Sequence, residues 1–304
     1  MHSLIALSPE TSQALAEGRP LVALESTIIT HGMPYPQNLE VAQQVEAAVR
    51  EAGAVPATIA VMGGRIRVGL DAGALEALAS TPAAQVMKLS RADLAACLAL
   101  GRTGATTVAA TMICAHLAGI EVFATGGIGG VHRGAETSFD ISADLQELAQ
   151  SPVTVVAAGA KAILDLPKTL EVLETLGVPV IAFGQDQLPA FWSRESGLAA
   201  PLRMDDPAQI AASARRRREL GLAGGQLVVN PIPPEAEIPR AEMIPVVEQA
   251  LAEAEAQGIA AKAVTPFLLQ RIFELTQGRS LEANVALVLN NARLAARIAA
   301  AMAS

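Results

Sequence analysis

Lysine is used sparingly in this chain, and its placement is chemically informative. Only Lys88, Lys161, Lys168 and Lys262 occur; arginine supplies the rest of the 22 basic residues. Arginine stays protonated, whereas a lysine placed in apolar surroundings can lose its proton and attack a carbonyl carbon as a free amine. Lys161 follows the apolar run Val153–Ala158 through Gly159 and Ala160. In α/β proteins that position falls at the C-terminal edge of the sheet, where ligands bind. Lys88 sits between apolar neighbours in Val86–Leu89. Either lysine could equally snorkel to solvent or pair with an acid.

Other residues offer complementary chemistry. Glu25 ends the run Leu21–Leu24 and precedes Ser26 and Thr27, so it suits either proton transfer or the capping of a turn. Residues 125–136 read TGGIGGVHRGAE. Five glycines expose backbone N–H groups there, and His132 and Arg133 add donors, a composition that fits a phosphate cradle or an unliganded glycine turn. Asp140 and Asp144 lie four apart, which on a helix would put both carboxylates on one face. Oxygen ligands of this kind suit Mg²⁺ or Mn²⁺, and acids also favour a helix N-terminus without any metal. Asn284, Asn290 and Asn291 stand in a helical pattern although asparagine is a poor helix former, so each needs a reason such as pairing with a base edge or a solvated position.

The elements that must hold these residues alternate between strand and helix. Expected strands are Leu21–Leu24, Ala57–Met62, Val86–Leu89, Glu121–Ala124, Val153–Ala158, Val178–Phe183 and Leu227–Asn230. Gly63-Gly64 begins a turn, with Arg65–Val68 as a possible hairpin partner. Expected helices include Gln37–Ala52, Ser90 to Leu100 behind a Ser90/Asp93 capping box, Ala105–Ala118, Lys168–Leu176, one from Pro207, then Arg240–Gln257, Pro266–Thr276 and Leu281–Ala301. Thr265 and Ser280 are the expected N-caps of the last two. The alternation predicts an α/β/α sandwich around a mostly parallel or mixed sheet, with residues 1–304 forming a single domain.

Composition narrows the function. The formal charge of −8 disfavours a nucleic-acid polymer as partner, and Arg215–Arg218 reads as a solvated helix face. Cys97 and Cys114 have no metal-ligand spacing and are expected to be buried free thiols. With no signal peptide and no long uninterrupted apolar run, a cytoplasmic protein without a membrane span is expected.

Taken together, VALESTIITHGMPYPQN, GAVPATIAVMGG, GATTVAATM, FATGGIGGVHRGAETSFDISADLQELA, AGAKAILDL, VVNPIP, TPFLL and SLEANVALVLNNA resemble the pseudouridine-5'-phosphate glycosidase family, also called indigoidine synthase A-like, over residues 20 to 295. The resemblance implies Lys161 as nucleophile, Glu25 as proton donor and Asp140 as the Mn²⁺-binding residue. It implies substrate contacts at Lys88, Val108, Ser142, Ala143 and Asp144, a uracil contact at Asn284, and His132 and Thr125 near the phosphate. It also implies a homotrimer handling pseudouridine 5'-phosphate, uracil and ribose 5-phosphate. The base of such a substrate is joined through carbon, a poor leaving group with no lone pair to protonate, so a covalent lysine imine replaces the usual pair of carboxylates. The alternatives are another imine-forming sugar-phosphate lyase or aldolase, which needs no base-binding amide, and a non-catalytic nucleotide-binding protein.

Overall fold

A computed structural model describes residues 3–259 and 264–303, with Thr265 and Pro266 described by backbone only. Lys262 and the capping side chain expected at Thr265 therefore lie outside the described residues. Seven strands run parallel through the middle of one sheet, in the order Val55–Met62, Leu21–Leu24, Val122–Ala124, Thr154–Ala157, Gln226–Val229, Val180–Phe183 and Leu202–Met204. The side chains of Leu21–Leu24, Thr154–Ala157 and Gln226–Val229 are all buried. That is why these segments read as unbroken apolar runs: helices cover both faces. Arg279–Ala303, Gln37–Glu51 and Pro207–Glu219 pack together on one side; Val108–Ala118 and Pro9–Ala16 cover the other. The expected α/β/α sandwich with a mixed sheet is the observed fold.

The antiparallel part of the sheet begins at a hairpin. Gly63 and Gly64 both have positive φ, +59° and +70°, the conformation that a tight two-residue turn demands. Arg65–Val68 returns along Val55–Met62 and also carries Ile5–Leu7 on its outer edge. On another branch Gly104–Thr106 lies antiparallel to Val55–Met62 and parallel to Met87–Leu89.

That branch corrects one expectation. The helix predicted over Ala105–Ala118 begins at Val108, and Ala105 and Thr106 are strand. The Thr106 hydroxyl donates to the Ile59 carbonyl, and its N–H donates to Ser26 Oγ at 2.9 Å. These cross-chain bonds outweigh a helical pattern that alanine-rich sequence produces for free. Thr107 then caps the helix. Ser280 is a second correction. It is inside the helix Arg279–Ala303, where its N–H donates to Thr276 Oγ1 at 3.2 Å. By contrast, the Ser90/Asp93 capping box and the Pro207 helix start are present.

The Arg215–Arg218 cluster is tied into the structure. Arg215 donates to the Ala301 carbonyl, Arg217 to that of Ala223, Arg216 pairs with Glu219 and Arg218 with Glu121. Arg279–Ala303 is long and apolar enough to cross a membrane by length and composition alone, but half of its most apolar stretch is buried within the protein. Leu294, Ala295, Ala296 and Ile298 are fully enclosed, so its hydrophobicity serves the core.

Candidate active site

Three adjacent parallel strands deliver the reactive groups to one edge. Leu24, Ala124 and Val156 are in register across Leu21–Leu24, Val122–Ala124 and Thr154–Ala157. Glu25 and Thr125 are therefore side by side, and the segment leading to Lys161 emerges next to them. The Glu25 carboxylate accepts hydrogen bonds from two hydroxyls, Thr27 on one oxygen and Thr125 on the other. Thr125, expected near the phosphate, thus spends its hydroxyl on Glu25. Both oxygens of this carboxylate are thereby held in place. Beside it a depression of about 400 Å³ is lined by Glu25, Ile28, Met33, Thr58, Thr125 and Val288, among others.

Lys161 is positioned by backbone pairing with the glycine segment. Ala158 N–H donates to Gly126 O, Ile128 N–H to Gly159 O, and Lys161 N–H to Ile128 O, at 2.9 to 3.1 Å. The lysine is half-buried. Lys168, in contrast, is exposed and ion-paired to Glu136 and Asp165, which push its pKa up. Of these two, Lys161 is the one that lies beside the glycine segment. The cysteines offer no competing nucleophile: both are buried and free, and burial pushes the Cys114 thiol up to about 12.

The two aspartates do not share a helix face. Asp140 precedes the helix Ala143–Leu148, and Asp144 lies within it. The difference arises because Ser142 caps that helix, accepting from the Asp144 N–H at 3.2 Å, so the chain at Asp140 is still extended loop. Asp144 is buried. Its two oxygens accept from the Gly129 N–H at 2.7 Å and the Ala109 N–H at 2.9 Å. It clamps the glycine segment against the start of the helix that carries Val108. Gly129 must be glycine, since a Cβ there would collide with the side chains of Ser142 and Asp144. Ser142, Ala143, Val108 and the glycine segment are thereby gathered around one buried carboxylate, which takes the Ala109 N–H at the start of Val108–Ala118. The Val108 side chain is itself buried, so what it offers a ligand is its backbone.

His132 enters the same region. It pairs with Leu164, three residues after Lys161, in a two-stranded ladder, and its N–H donates to the Asp140 carbonyl at 3.0 Å. Among the described residues no cluster of three or more His, Cys, Asp and Glu side chains could hold a metal. Asp140, a single half-exposed carboxylate, fits a hard divalent cation that keeps most of its waters, and does not fit a cage built wholly from protein. Lys88 lies on the Met87–Leu89 strand, whose partner strand meets Ser26 through Thr106. Its charge is felt by His31, which sequence reasoning passed over. Burial, and secondly Lys88, hold the His31 imidazole below its ordinary pKa. His31 closes the short helix Thr27–His31 directly after Glu25, and its Nδ1 is 2.6 Å from the Thr30 hydroxyl.

The three asparagines have separate duties. Asn291 is fully buried; its amide donates to the Thr125 carbonyl at 2.9 Å and accepts from Asn230. Asn290 donates to the Pro231 carbonyl. Asn284 accepts from the Trp192 indole N–H at 2.7 Å. Trp192 was not anticipated, although being the only tryptophan was a signal available in the sequence.

Residues 10–301 match the family described as indigoidine synthase A like protein. A pseudouridine-5'-phosphate glycosidase of Paracoccus denitrificans is 95% identical over the whole of both chains. One from Caldanaerobacter subterraneus is 58% identical, covering 98% of this chain and 97% of the relative. Among solved structures, the prealnumycin C-glycosynthase AlnA in complex with ribulose 5-phosphate superposes with a TM-score of 0.92 at 41% identity, covering 100% of this chain and 98% of that one. An indigoidine synthase A-like protein of Thermotoga maritima gives 0.89 at 34% identity, covering 100% and 99%.

Proposed function

This chain belongs to the indigoidine synthase A-like family, and we infer from that premise and from its site that it is a pseudouridine-5'-phosphate glycosidase. It cleaves the bond between C1' of ribose and C5 of uracil, giving uracil and ribose 5-phosphate. The observation that supports these roles is that Glu25 and the segment leading to Lys161 leave the same edge of the sheet, from strands separated only by Val122–Ala124.

The proposed chemistry follows from these groups. Uracil N1 gives up its proton and its electrons pass through C6 to form a C1'–C5 double bond as the C1'–O4' bond breaks, and O4' takes a proton. The Lys161 amine adds to C1', and C5 takes a proton delivered by Glu25. The nitrogen lone pair then forms a C1' imine while the C1'–C5 bond electrons return to the uracil ring, where N1 regains its proton. Water hydrolyses the imine, freeing ribose 5-phosphate and the amine. Dividing the reaction in this way avoids expelling a bare carbanion.

Lys88, the backbone at Val108, Ser142, Ala143 and His132 would receive the sugar phosphate inside a protein of net negative charge. Asp144 supports that site by holding its loop, since a carboxylate repels phosphate. Asn284 would address the uracil. Mn²⁺ held by Asp140 and waters would supply positive charge that orders substrate oxygens.

The experiment is release of uracil from pseudouridine 5'-phosphate in the presence of Mn²⁺, followed by ultraviolet absorbance. Steady release is expected from the wild type, and none from Lys161→Ala, which should still bind substrate. Borohydride should trap a ribose phosphate adduct on Lys161. A wild type that releases no uracil would refute the activity. Near-normal turnover by Lys161→Ala would refute the covalent route alone.

A further inference from the structure

The bond between Trp192 and Asn284 fixes which end of an amide the site offers to a ligand. An indole N–H can only donate, so the Asn284 atom facing it at 2.7 Å must be the carbonyl oxygen. The amide orientation is therefore set by chemistry. Its NH₂ end makes no hydrogen bond with the described residues, and the residue is only half-buried. Any partner meeting that end finds two donors and no acceptor.

Trp192 is itself immobilised. It is 1% exposed, and its ring stands edge-on to Phe191 with centroids 5.0 Å apart. Its carbonyl accepts from the Ile238 N–H at 2.9 Å, and the Ser193 hydroxyl donates to the Ile238 carbonyl at 2.7 Å. Phe191 donates its N–H to Ala158, the residue before the turn to Lys161, and its ring covers Gly127, where a Cβ would strike it. One turn beyond Asn284, Leu287 lies against Gly126. Asn284 and Trp192 are thus anchored to the same glycine and lysine segments that carry the chemistry.

We propose that Trp192 is a specificity-positioning residue: by holding the Asn284 oxygen, it makes the base subsite a reader of ring carbonyls and a rejector of ring amines. The inference rests on the glycosidase assignment for placing a pyrimidine at Asn284. A carbonyl of uracil accepts from the fixed NH₂. An exocyclic amine in its place would set donor against donor and leave a desolvated amide unpaired. If the tryptophan bond were absent, the amide could turn over and present its oxygen, and the discrimination would be lost.

The test uses uracil, cytosine and isocytosine as inhibitors of pseudouridine 5'-phosphate cleavage. Cytosine and isocytosine each replace a different ring carbonyl with an amine, so whichever carbonyl is read is covered. The wild type should bind uracil at least about tenfold more tightly than one of the two amino bases, the worth of one hydrogen bond. Trp192→Phe, which keeps an aromatic ring but loses the donor, should bring that ratio to within about twofold. A folded Trp192→Phe with the wild-type ratio overturns the proposal. Asn284→Asp retains an acceptor for Trp192 and removes both donors, so it should weaken uracil by about tenfold or more; unchanged uracil inhibition overturns the proposal even if Trp192→Phe fails to fold. Uracil release by the wild type together with an unaltered ratio in Trp192→Phe defeats this inference alone. Neither release nor base binding by the wild type defeats the glycosidase assignment with it.

Discussion

Two hydroxyls hold Glu25, and no cation pairs with it among the described residues. Threonine hydroxyls donating to both oxygens fix the orientation of the carboxylate. His31, the last residue of the short helix Thr27–His31, is held by burial and by Lys88 in the opposite sense from an ion-paired histidine. Its folded pKa lies below the 6.5 expected of the unfolded chain. As pH falls past that value, the unfolded state binds the proton first, so His31 favours folding above about 6.5 and that contribution is lost on acidification toward the folded pKa. Urea unfolding over a pH series should show a shallower acid loss of stability in His31→Asn than in the wild type. Identical slopes would mean that the imidazole is not kept neutral in the folded protein.

Among the elements, the glycine segment is shaped from outside itself. Asp144 satisfies the Gly129 and Ala109 N–H groups, and Asn291 reaches across from the long helix to the Thr125 carbonyl. Asp144→Ala removes two charge-assisted bonds and strands two backbone donors. The expected cost is about 3 kcal/mol of stability, measured by chemical denaturation, with turnover falling because the loop that pins Lys161 loosens. A loss well under about 1 kcal/mol would show that water replaces the carboxylate without penalty. Helix starts follow the same principle. Thr107 begins its helix three residues later than alanine-rich periodicity suggests, because Thr106 is already bonded to Ile59 and Ser26.

At the scale of the molecule, one mixed sheet collects its functional groups along the C-terminal edge of parallel strands, as crossover connections dictate. The helix Arg279–Ala303 lies across Leu21–Leu24, Val122–Ala124 and Thr154–Ala157, so a single element contributes Asn284, Val288 and Asn291 to the same region. We propose that the protein assembles as a homotrimer, as its family resemblance implies. Light scattering of the purified protein should give about three times the chain mass of 31.3 kDa, and a monomer mass would remove the trimer from the proposal without touching the chemistry.

Much was legible in the linear chain. Buried parallel strands announce themselves as apolar runs because both faces are covered. Lys161 stood out because an arginine-using chain placed a lysine just past such a run, and the long glycine and aspartate motifs pointed to one family. Local chemistry also predicted the Ser90 capping box and the Gly63-Gly64 hairpin. Tertiary structure decided the pairings. That Thr125 serves Glu25, that Asp144 clamps Gly129, that Asn291 is structural while Asn284 is oriented by Trp192, all depend on contacts between residues from 15 to 166 positions apart. Periodicity reports which face of an element is buried, but the partner of a polar side chain is set only when distant strands and helices close upon it, because an unmade hydrogen bond in the interior costs more than any local preference.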